Sequence, residues 1–196
     1  SFTAYIGNGT GAGGSSVTVS GTDTAGNAST WDNFNNLYVG RNSRGTLIIE
    51  NGGRVENANG FIGLEFNADG SSVTVSGTDT AGNASTWYNS ALLPVGVGST
   101  GKLIIEDGGR VESLEGYIGY GSGATDSSVT VSGTDMAGNA STWHNSYNLY
   151  VGVNSRGTLT IENGGRVENA VGGIGDGSAA DVTVSGADTE GNASTW

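Results

Sequence analysis

Residues 45–56 read GTLIIENGGRVE, and this stretch decides the fold. Side chains alternate along a strand, so Leu47 and Ile49 point to one side of it and Ile48 points to the other. The glycines that follow, Gly52 and Gly53, suit a corner that needs positive φ or a close approach between chain segments. The stretch therefore predicts a strand, a tight corner and the beginning of the next strand.

This strand and corner belong to a repeat with a fixed period. Subtracting the residue numbers of Trp31, Trp87 and Trp143 gives 56 residues each time, and each period has two related halves of 23 and 33 residues. The repeat units are approximately residues 6–61, 62–117, 118–173 and the partial unit 174–196. The last unit has three residues fewer between Ile174 and Val182, which predicts a tolerant turn there.

A half-repeat of this length cannot bury its own apolar side chains, so the halves must stack on one another. The predicted fold is all-β, a right-handed parallel β-helix of about seven coils, each made of three short strands and glycine-rich corners. The coils begin at Ile6, Val39, Ile62, Val95, Ile118, Val151 and Ile174. Alternation predicts interior ladders of Val17, Val19, Leu47, Ile49, Val73, Val75, Leu103 and Ile105, with Thr18, Ser20, Ile48 and Glu50 facing solvent. We expect a single β-helix segment over residues 1–196.

Composition and charge exclude several classes of function. The chain has 7 Lys and Arg against 19 Asp and Glu, and its net charge of −12 argues against binding to nucleic acid or an anionic membrane surface. The absence of cysteine excludes disulfides and thiolate metal sites. No apolar run approaches the ~20 residues of a membrane helix, so the segment is not expected to be membrane-embedded. We expect any signal or membrane anchor to lie outside this stretch.

The repeat resembles one found in type V secretion (autotransporter) and PEP-CTERM-associated bacterial surface proteins. The matching strings are LYVG at 37–40, SRGTLIIENGGRV at 43–55, IG at 62–63, VTVSG at 73–77 and STW at 85–87. The resemblance covers essentially the whole chain and implies a fragment of the passenger β-helix of an adhesin, secreted or on the bacterial cell surface. It implies a role in cell adhesion, autoaggregation or biofilm formation, and it carries over no catalytic residue. The chain departs from the family in a longer insert, residues 22–28.

The insert of the longer half contains an Asp and an Asn that recur in every unit. Oxygen ligands of this kind could bind calcium, whereas Asp and Asn more often close a turn by bonding to their own backbone, and the turn is the favoured interpretation. The residues are Asp23, Asn27, Asp79, Asn83, Asp135, Asn139, Asp188 and Asn192. The first six are also candidates for adhesive loops, because the longer coil must project there. Candidate partners are other copies of the chain, or a host or matrix glycan or protein; calcium is the only cofactor considered.

Acidic residues recur in each period, whereas a catalytic pair should occur once and in two unlike environments. Glu50, Glu106 and Glu162 recur with Arg54, Arg110 and Arg166 and with Glu56, Glu112 and Glu168. These residues are expected to form ladders of surface pairs, and we expect no enzyme. The alternatives are a polysaccharide-degrading β-helix enzyme of the tailspike or lyase type, and a passive stalk.

The single histidine and the four tryptophans are the remaining candidate site residues. His144 occupies the place of Asp32 and Tyr88 in the sister units and is expected to be an exposed loop residue. Trp31, Trp87, Trp143 and Trp196 are expected to be buried and to fill a wider corner of the longer coil, with stacking on sugar rings as the alternative.

Overall fold

A computed structural model describes residues 2–11 and 13–196 of the chain. This part contains 20 strands and no helix, and the strands form three sheets. Neighbouring strands in every sheet are parallel, and consecutive strands along the chain enter different sheets. Each of the first six coils therefore adds one strand to each sheet in turn, and the last coil adds one strand to two of them. The predicted parallel β-helix of about seven coils is therefore confirmed.

The three sheets are named by the order in which the chain enters them. Sheet one contains β1 (Thr3–Ile6), β4 (Asn36–Val39), β7 (Asn59–Ile62), β10 (Leu92–Val95), β13 (Glu115–Ile118), β16 (Asn148–Val151) and β19 (Val171–Ile174). Sheet two contains β2 (Ser15–Ser20), β5 (Gly45–Glu50), β8 (Ser71–Ser76), β11 (Gly101–Glu106), β14 (Ser127–Ser132), β17 (Gly157–Glu162) and β20 (Ala180–Ser185). Sheet three contains β3 (Thr30–Asp32), β6 (Arg54–Asn57), β9 (Thr86–Asn89), β12 (Arg110–Ser113), β15 (Thr142–Asn145) and β18 (Arg166–Glu168).

The predicted coil starts and the shortened turn both have clear structural counterparts. Each of the seven start residues is the last residue of a strand of sheet one. Long coils, numbered one, three, five and seven, alternate with short coils, numbered two, four and six. The turn that leads from sheet one to sheet two spans residues 63–70 in coil three and only residues 175–179 in coil seven. The three missing residues therefore lie in a turn, as predicted.

The interior ladder follows the predicted register. Leu47, Val73 and Leu103 pair in sequence across sheet two and are fully buried. Their outward neighbours, such as Thr74, are half-buried between the coils above and below. Val17 and Val19 are only partly buried, because coil one has a neighbouring coil on one side only. The strand alternation is thus confirmed.

Core side chains alternate in size from one coil to the next. In coils three and five a tryptophan of sheet three lies over a glycine of sheet one, and a Cβ on Gly60 would lie 2.5 Å from Cζ2 of Trp87. In short coils a smaller valine replaces the tryptophan and a larger leucine replaces the glycine. The pairs are Val55 with Leu37, Val111 with Leu93, and Val167 with Leu149. Trp31, Trp87 and Trp143 therefore lie in strands of sheet three and pack in or against the core, so the expected location in a wider corner is wrong. Trp31 in coil one is only partly buried. Trp87 and Trp143 are fully buried as expected, whereas Trp196 in the last coil is 40% exposed.

The corner between sheets two and three of a short coil uses its glycines for two different reasons. Asn51 and Gly52 have φ of 51° and 81°, and the Gly53 amide donates to the Glu50 carbonyl at 2.9 Å. Two successive positive φ values define a type I′ turn. Gly53 is needed for space, since a Cβ there would lie 2.3 Å from the Val19 carbonyl oxygen of the coil before. The expectation of positive φ or close approach is confirmed.

A buried polar column, not expected from the sequence, runs along the ends of the sheet-three strands. It contains Asn33, Asn57, Asn89, Ser113, Asn145 and Asn169. Asn57 Nδ2 donates to Asn89 Oδ1 at 2.6 Å, and the indole Nε1 of Trp87 donates to Asn57 Oδ1 at 2.8 Å. The column thus satisfies indole N–H groups that would otherwise be buried without an acceptor. The sequence signal was an asparagine two residues after Trp31, Trp87 and Trp143, and two residues after Val55 and Val167, which hold the equivalent place in short coils.

Ser113 is the position of this column that lacks an amide. The Nε1 of Trp143 reaches the Ser113 Oγ at 3.3 Å, which is longer than the bond of Trp87 to Asn57. We expect Ser113→Asn to raise the free energy of unfolding by about 1 kcal/mol, because the longer side chain offers the indole a closer acceptor. Urea denaturation measures the change. Asn57→Ser is the matched control and should lower stability by a similar amount; a loss of stability in Ser113→Asn would mean that coil four has no room for an amide.

Candidate functional site

The insert of the long coil is a closed loop held by one aspartate. In the first copy Asp23 Oδ1 accepts from the amides of Ala25 and Asn27 at 2.8 and 2.9 Å, and Asp23 Oδ2 accepts from Asn27 Nδ2 at 2.9 Å. The Asp23 amide donates to the Asn27 carbonyl at 2.9 Å. An antiparallel bridge between Thr22 and Ala28 closes the base. The loop projects from the corner between sheets two and three.

The other three copies repeat this turn with nearly the same distances. Each has an Asp carboxylate that accepts from two backbone amides and from the side-chain amide of the Asn four residues later, at Asp79, Asp135 and Asp188. The interpretation of Asp and Asn as turn-forming residues is therefore confirmed in all four units.

Hydrogen bonding controls the ionisation of these aspartates. The pKa of Asp23 is lowered chiefly by the side-chain amide of Asn27 and then by the Asn27 backbone amide. The pKa values of Asp79 and Asp188 are lowered by the corresponding bonds. For Asp135 burial acts in the opposite direction, yet the bonds from Asn139 still lower the pKa. The four carboxylates are thus acceptors held in their charged form.

The calcium hypothesis gains no direct support from this arrangement. Three hydrogen bonds already use the carboxylate of each insert, whereas Ca²⁺ takes six to eight oxygen ligands. Over residues 2–11 and 13–196, no group of three or more His, Cys, Asp or Glu side chains is placed to hold a metal ion. Calcium binding at Asp23, Asn27 and their counterparts stays a hypothesis.

Successive inserts enclose three equivalent clefts along one edge of the β-helix. The cleft between the first two inserts has a volume of about 410 Å³ and is lined by Thr22, Asp23, Asn51 and Asp79, among others. The next two clefts have volumes of about 320 and 260 Å³ and use the corresponding Thr and Asp positions. Because consecutive inserts are two coils apart, the clefts repeat about every 10 Å. The six predicted adhesive-loop residues therefore lie in a periodic array.

His144 lies in strand β15, so its expected place in an exposed loop is wrong. Its ring Nδ1 lies 2.9 Å from Glu168 Oε2 in the next coil, and both side chains are about one-third exposed. Bonding to His144 and the charge of Arg166 lower the pKa of Glu168. The pair occupies the outward column of sheet three in which Glu112 faces His144 from the other side. A cavity of about 750 Å³ opens beside this pair and Trp196.

The repeated arginines and glutamates of sheet three form surface pairs, as predicted. Arg110 Nε lies 2.6 Å from Glu112 Oε1, and the same contact joins Arg54 to Glu56 and Arg166 to Glu168. Glu50, Glu106 and Glu162 lie at the ends of the sheet-two strands and form no ion pair within the described residues, so their predicted place in these pairs is wrong. Each pair spans two residues of one strand and is partly exposed, so its contribution to stability is small.

The outward side of sheet one carries an aromatic column that sequence reasoning missed. It contains Tyr5, Tyr38, Phe61, Pro94, Tyr117, Tyr150 and Gly173, one from each coil. Neighbouring rings stack, with centroids 5.3 Å apart for Tyr5 and Tyr38, 4.9 Å for Tyr38 and Phe61, and 5.7 Å for Tyr117 and Tyr150. The signal was present in the sequence, because every member immediately precedes one of the seven predicted coil starts.

Comparison with protein-family models, curated proteins and solved structures found no significant match for this chain. The resemblance to the type V secretion repeat therefore stays a prediction that rests on the quoted strings. The described residues include no helix that is long and apolar enough to cross a membrane.

Proposed function

We propose that this chain is a structural and adhesive segment of a secreted bacterial surface protein, in which a repetitive β-helix surface mediates cell adhesion, autoaggregation or biofilm formation. The observation that carries the proposal is the array of four alike inserts on one edge. Each insert exposes polar groups, and a partner that binds there would bury no large apolar patch. A single contact at one insert is therefore weak. Copies about every 10 Å allow weak contacts to add through effective concentration.

The regular stack itself supports this proposal. Each coil contacts mainly its neighbours, so the chain is a rod whose length grows with the number of repeats. Repulsion between rods of net charge −12 opposes self-contact. Added salt should therefore strengthen self-adhesion by screening, since the Debye length falls from about 10 Å at 0.1 M to about 3 Å at 1 M.

The proposal is tested by displaying the chain on non-aggregating cells and measuring clumping and attachment to matrix. In the key variant, residues 21–29, 77–85, 133–141 and 186–194 are each replaced by Asn-Gly-Gly, the corner that the short coils use at residues 51–53. We expect the intact chain to increase clumping or attachment severalfold, with most of the gain lost in the variant. Clumping and attachment are measured with and without calcium, because a dependence on calcium would support the hypothesis that the Asp and Asn of the inserts bind it.

A folding control is required, because the insert also supports its neighbour. Ser85 Oγ accepts from the Gly52 amide at 3.0 Å, and the replacement removes this bond. Circular dichroism and thermal unfolding of the purified variant show whether the β-helix survives. An intact chain that causes neither clumping nor attachment at any salt or calcium level would contradict the adhesive role and favour a passive stalk.

A further inference from the structure

The aromatic column of sheet one continues into a second apolar column on the adjoining corner. Leu64, Val97 and Tyr120 occupy equivalent positions, two residues after the coil starts of coils three, four and five. The Tyr120 ring meets the Tyr117 ring edge to face at 4.9 Å and is 41% exposed. We call the two columns together the aromatic face. Tyr5 and Tyr120 are exposed, Pro94 is buried and the other apolar members are half-buried, so the face is a continuous apolar strip at the surface. Apolar surface patches mark interaction sites in soluble proteins.

The aromatic face is nearly neutral on a strongly acidic rod. The strands of sheet one, all within the described residues, contain a single charged residue, Glu115. Together with the corners that follow them they hold three Arg and five Asp or Glu, a net charge of −2 out of −12. The remaining net charge of −10, from 14 Asp and Glu against 4 Lys and Arg, lies on the insert edge and on sheets two and three. Two copies of the rod can therefore approach through this face with the least repulsion.

The stacking of the rings argues for a protein partner at this face and against a sugar. Interplanar angles of 12°, 21° and 23° show that the stacked rings cover one another's faces and present their edges outward. A pyranose ring would need an open ring face. A surface of Tyr, Phe, Pro, Leu and Val with an occasional Arg has the composition of a protein interface core. Arg41 fits this pattern, since its guanidinium lies 4.9 Å from the centroid of the Tyr5 ring.

We propose that the aromatic face is the self-association surface of the chain and that its partner is the same face of a second copy. The inference goes beyond the proposed function, because it adds a contact between copies on sheet one that is separate from the insert contacts on which the adhesive proposal rests. A closed pair uses the same patch on both copies. With the rods antiparallel and the two-fold axis at coil four, Val97 faces Val97 of the other copy, and Phe61 faces Tyr117.

The size of the face predicts weak association. Seven coils give a length of about 34 Å, and a width of six residues gives roughly 20 Å, or an area of roughly 700 Å². A stable interface buries about 800 Å² on each partner. One segment of this length therefore associates weakly, and additional repeats strengthen the contact.

Sedimentation velocity over a range of protein and salt concentrations tests the proposal. Tyr120→Glu adds a charge to the face at a partly exposed position and is expected to raise the dissociation constant at least tenfold. Thr74→Glu is the matched control, because Thr74 lies on the outward side of sheet two, away from both sheet one and the inserts, and should change self-association little. Thermal unfolding of both variants confirms that the fold is kept.

Cysteine crosslinking provides a second measurement, since the natural chain contains no cysteine. Val97→Cys should form disulfide-linked dimers under mild oxidation much faster than Thr74→Cys, on the outward side of sheet two. The proposal is overturned if Thr74→Glu weakens association as much as Tyr120→Glu, or if the two cysteine variants crosslink equally fast. If replacing the inserts abolishes the clumping of displayed cells while Tyr120→Glu has no effect on it, this inference is wrong and the proposed function stands. If the intact chain neither associates in solution nor makes displayed cells clump, this inference and the proposed function are both wrong.

Discussion

Val73→Asp is expected to lower the free energy of unfolding by several kcal/mol, whereas Thr74→Asp changes it by about 0.5 to 1 kcal/mol. Val73 is fully buried and pairs in register with Leu47 below and Leu103 above. A carboxylate there has no cation and no hydrogen-bond donor, so it must be buried unpaired or the coil must open. Thr74 points outward and is half-buried, so an aspartate at that position stays in contact with solvent.

The two variants are compared by urea denaturation and by hydrogen exchange of the strand amides. Hydrogen exchange is needed because a stack of repeats can open locally, and a single unfolding transition would then miss the effect. Loss of protection should centre on β8 and spread to β5 and β11 in Val73→Asp only. Equal losses of stability in the two variants would contradict the strand register.

Trp87→Val is expected to cost about 3 to 4 kcal/mol, and the additional change Gly60→Leu should recover a substantial part of it. The valine alone leaves a cavity where the indole lay, and it removes the donor to Asn57. Gly60→Leu alone should also destabilise, since even a Cβ there would lie 2.5 Å from the Trp87 ring. The double variant reproduces the Val and Leu pair that short coils already use.

A double-mutant cycle by urea denaturation measures the coupling between positions 60 and 87. We expect a coupling of about 1 to 3 kcal/mol in favour of the double variant. Trp196→Ala is the control for tryptophan removal as such, because that side chain is 40% exposed and should cost far less. Additive effects at positions 60 and 87 would show that the alternation in size between coils does not hold the core together.

Much of the architecture could be predicted from the sequence, because it depends on patterns of residues that are close together along the chain. Alternation in GTLIIE fixed which side chains face inward, the 56-residue period fixed the number of coils, and Gly52 and Gly53 marked a corner. The turn at Asp23 and Asn27 was also predictable, since a short polar side chain bonds to backbone only a few residues away. In each case the interacting atoms lie close together along the chain.

Other features required the tertiary structure because they join residues of different coils or of different sheets. His144 was expected in a loop, and its place in a strand became clear only from its register with Glu112 and Glu168. The fit of Trp87 over Gly60 depends on two sheets meeting across the interior. Trp87 was therefore recognised as buried, but its location was wrong.

The sequence by itself determined the β-helix, its coil count, its inward side chains and its insert turns. The tertiary structure alone decided what lies side by side on the surface, namely the clefts between inserts and the aromatic face. The physical reason is the stacking of coils, which brings residues 23 or 33 positions apart to within about 4.8 Å of one another. Tyr38 and Phe61 stack for this reason, and so do Tyr117 and Tyr150.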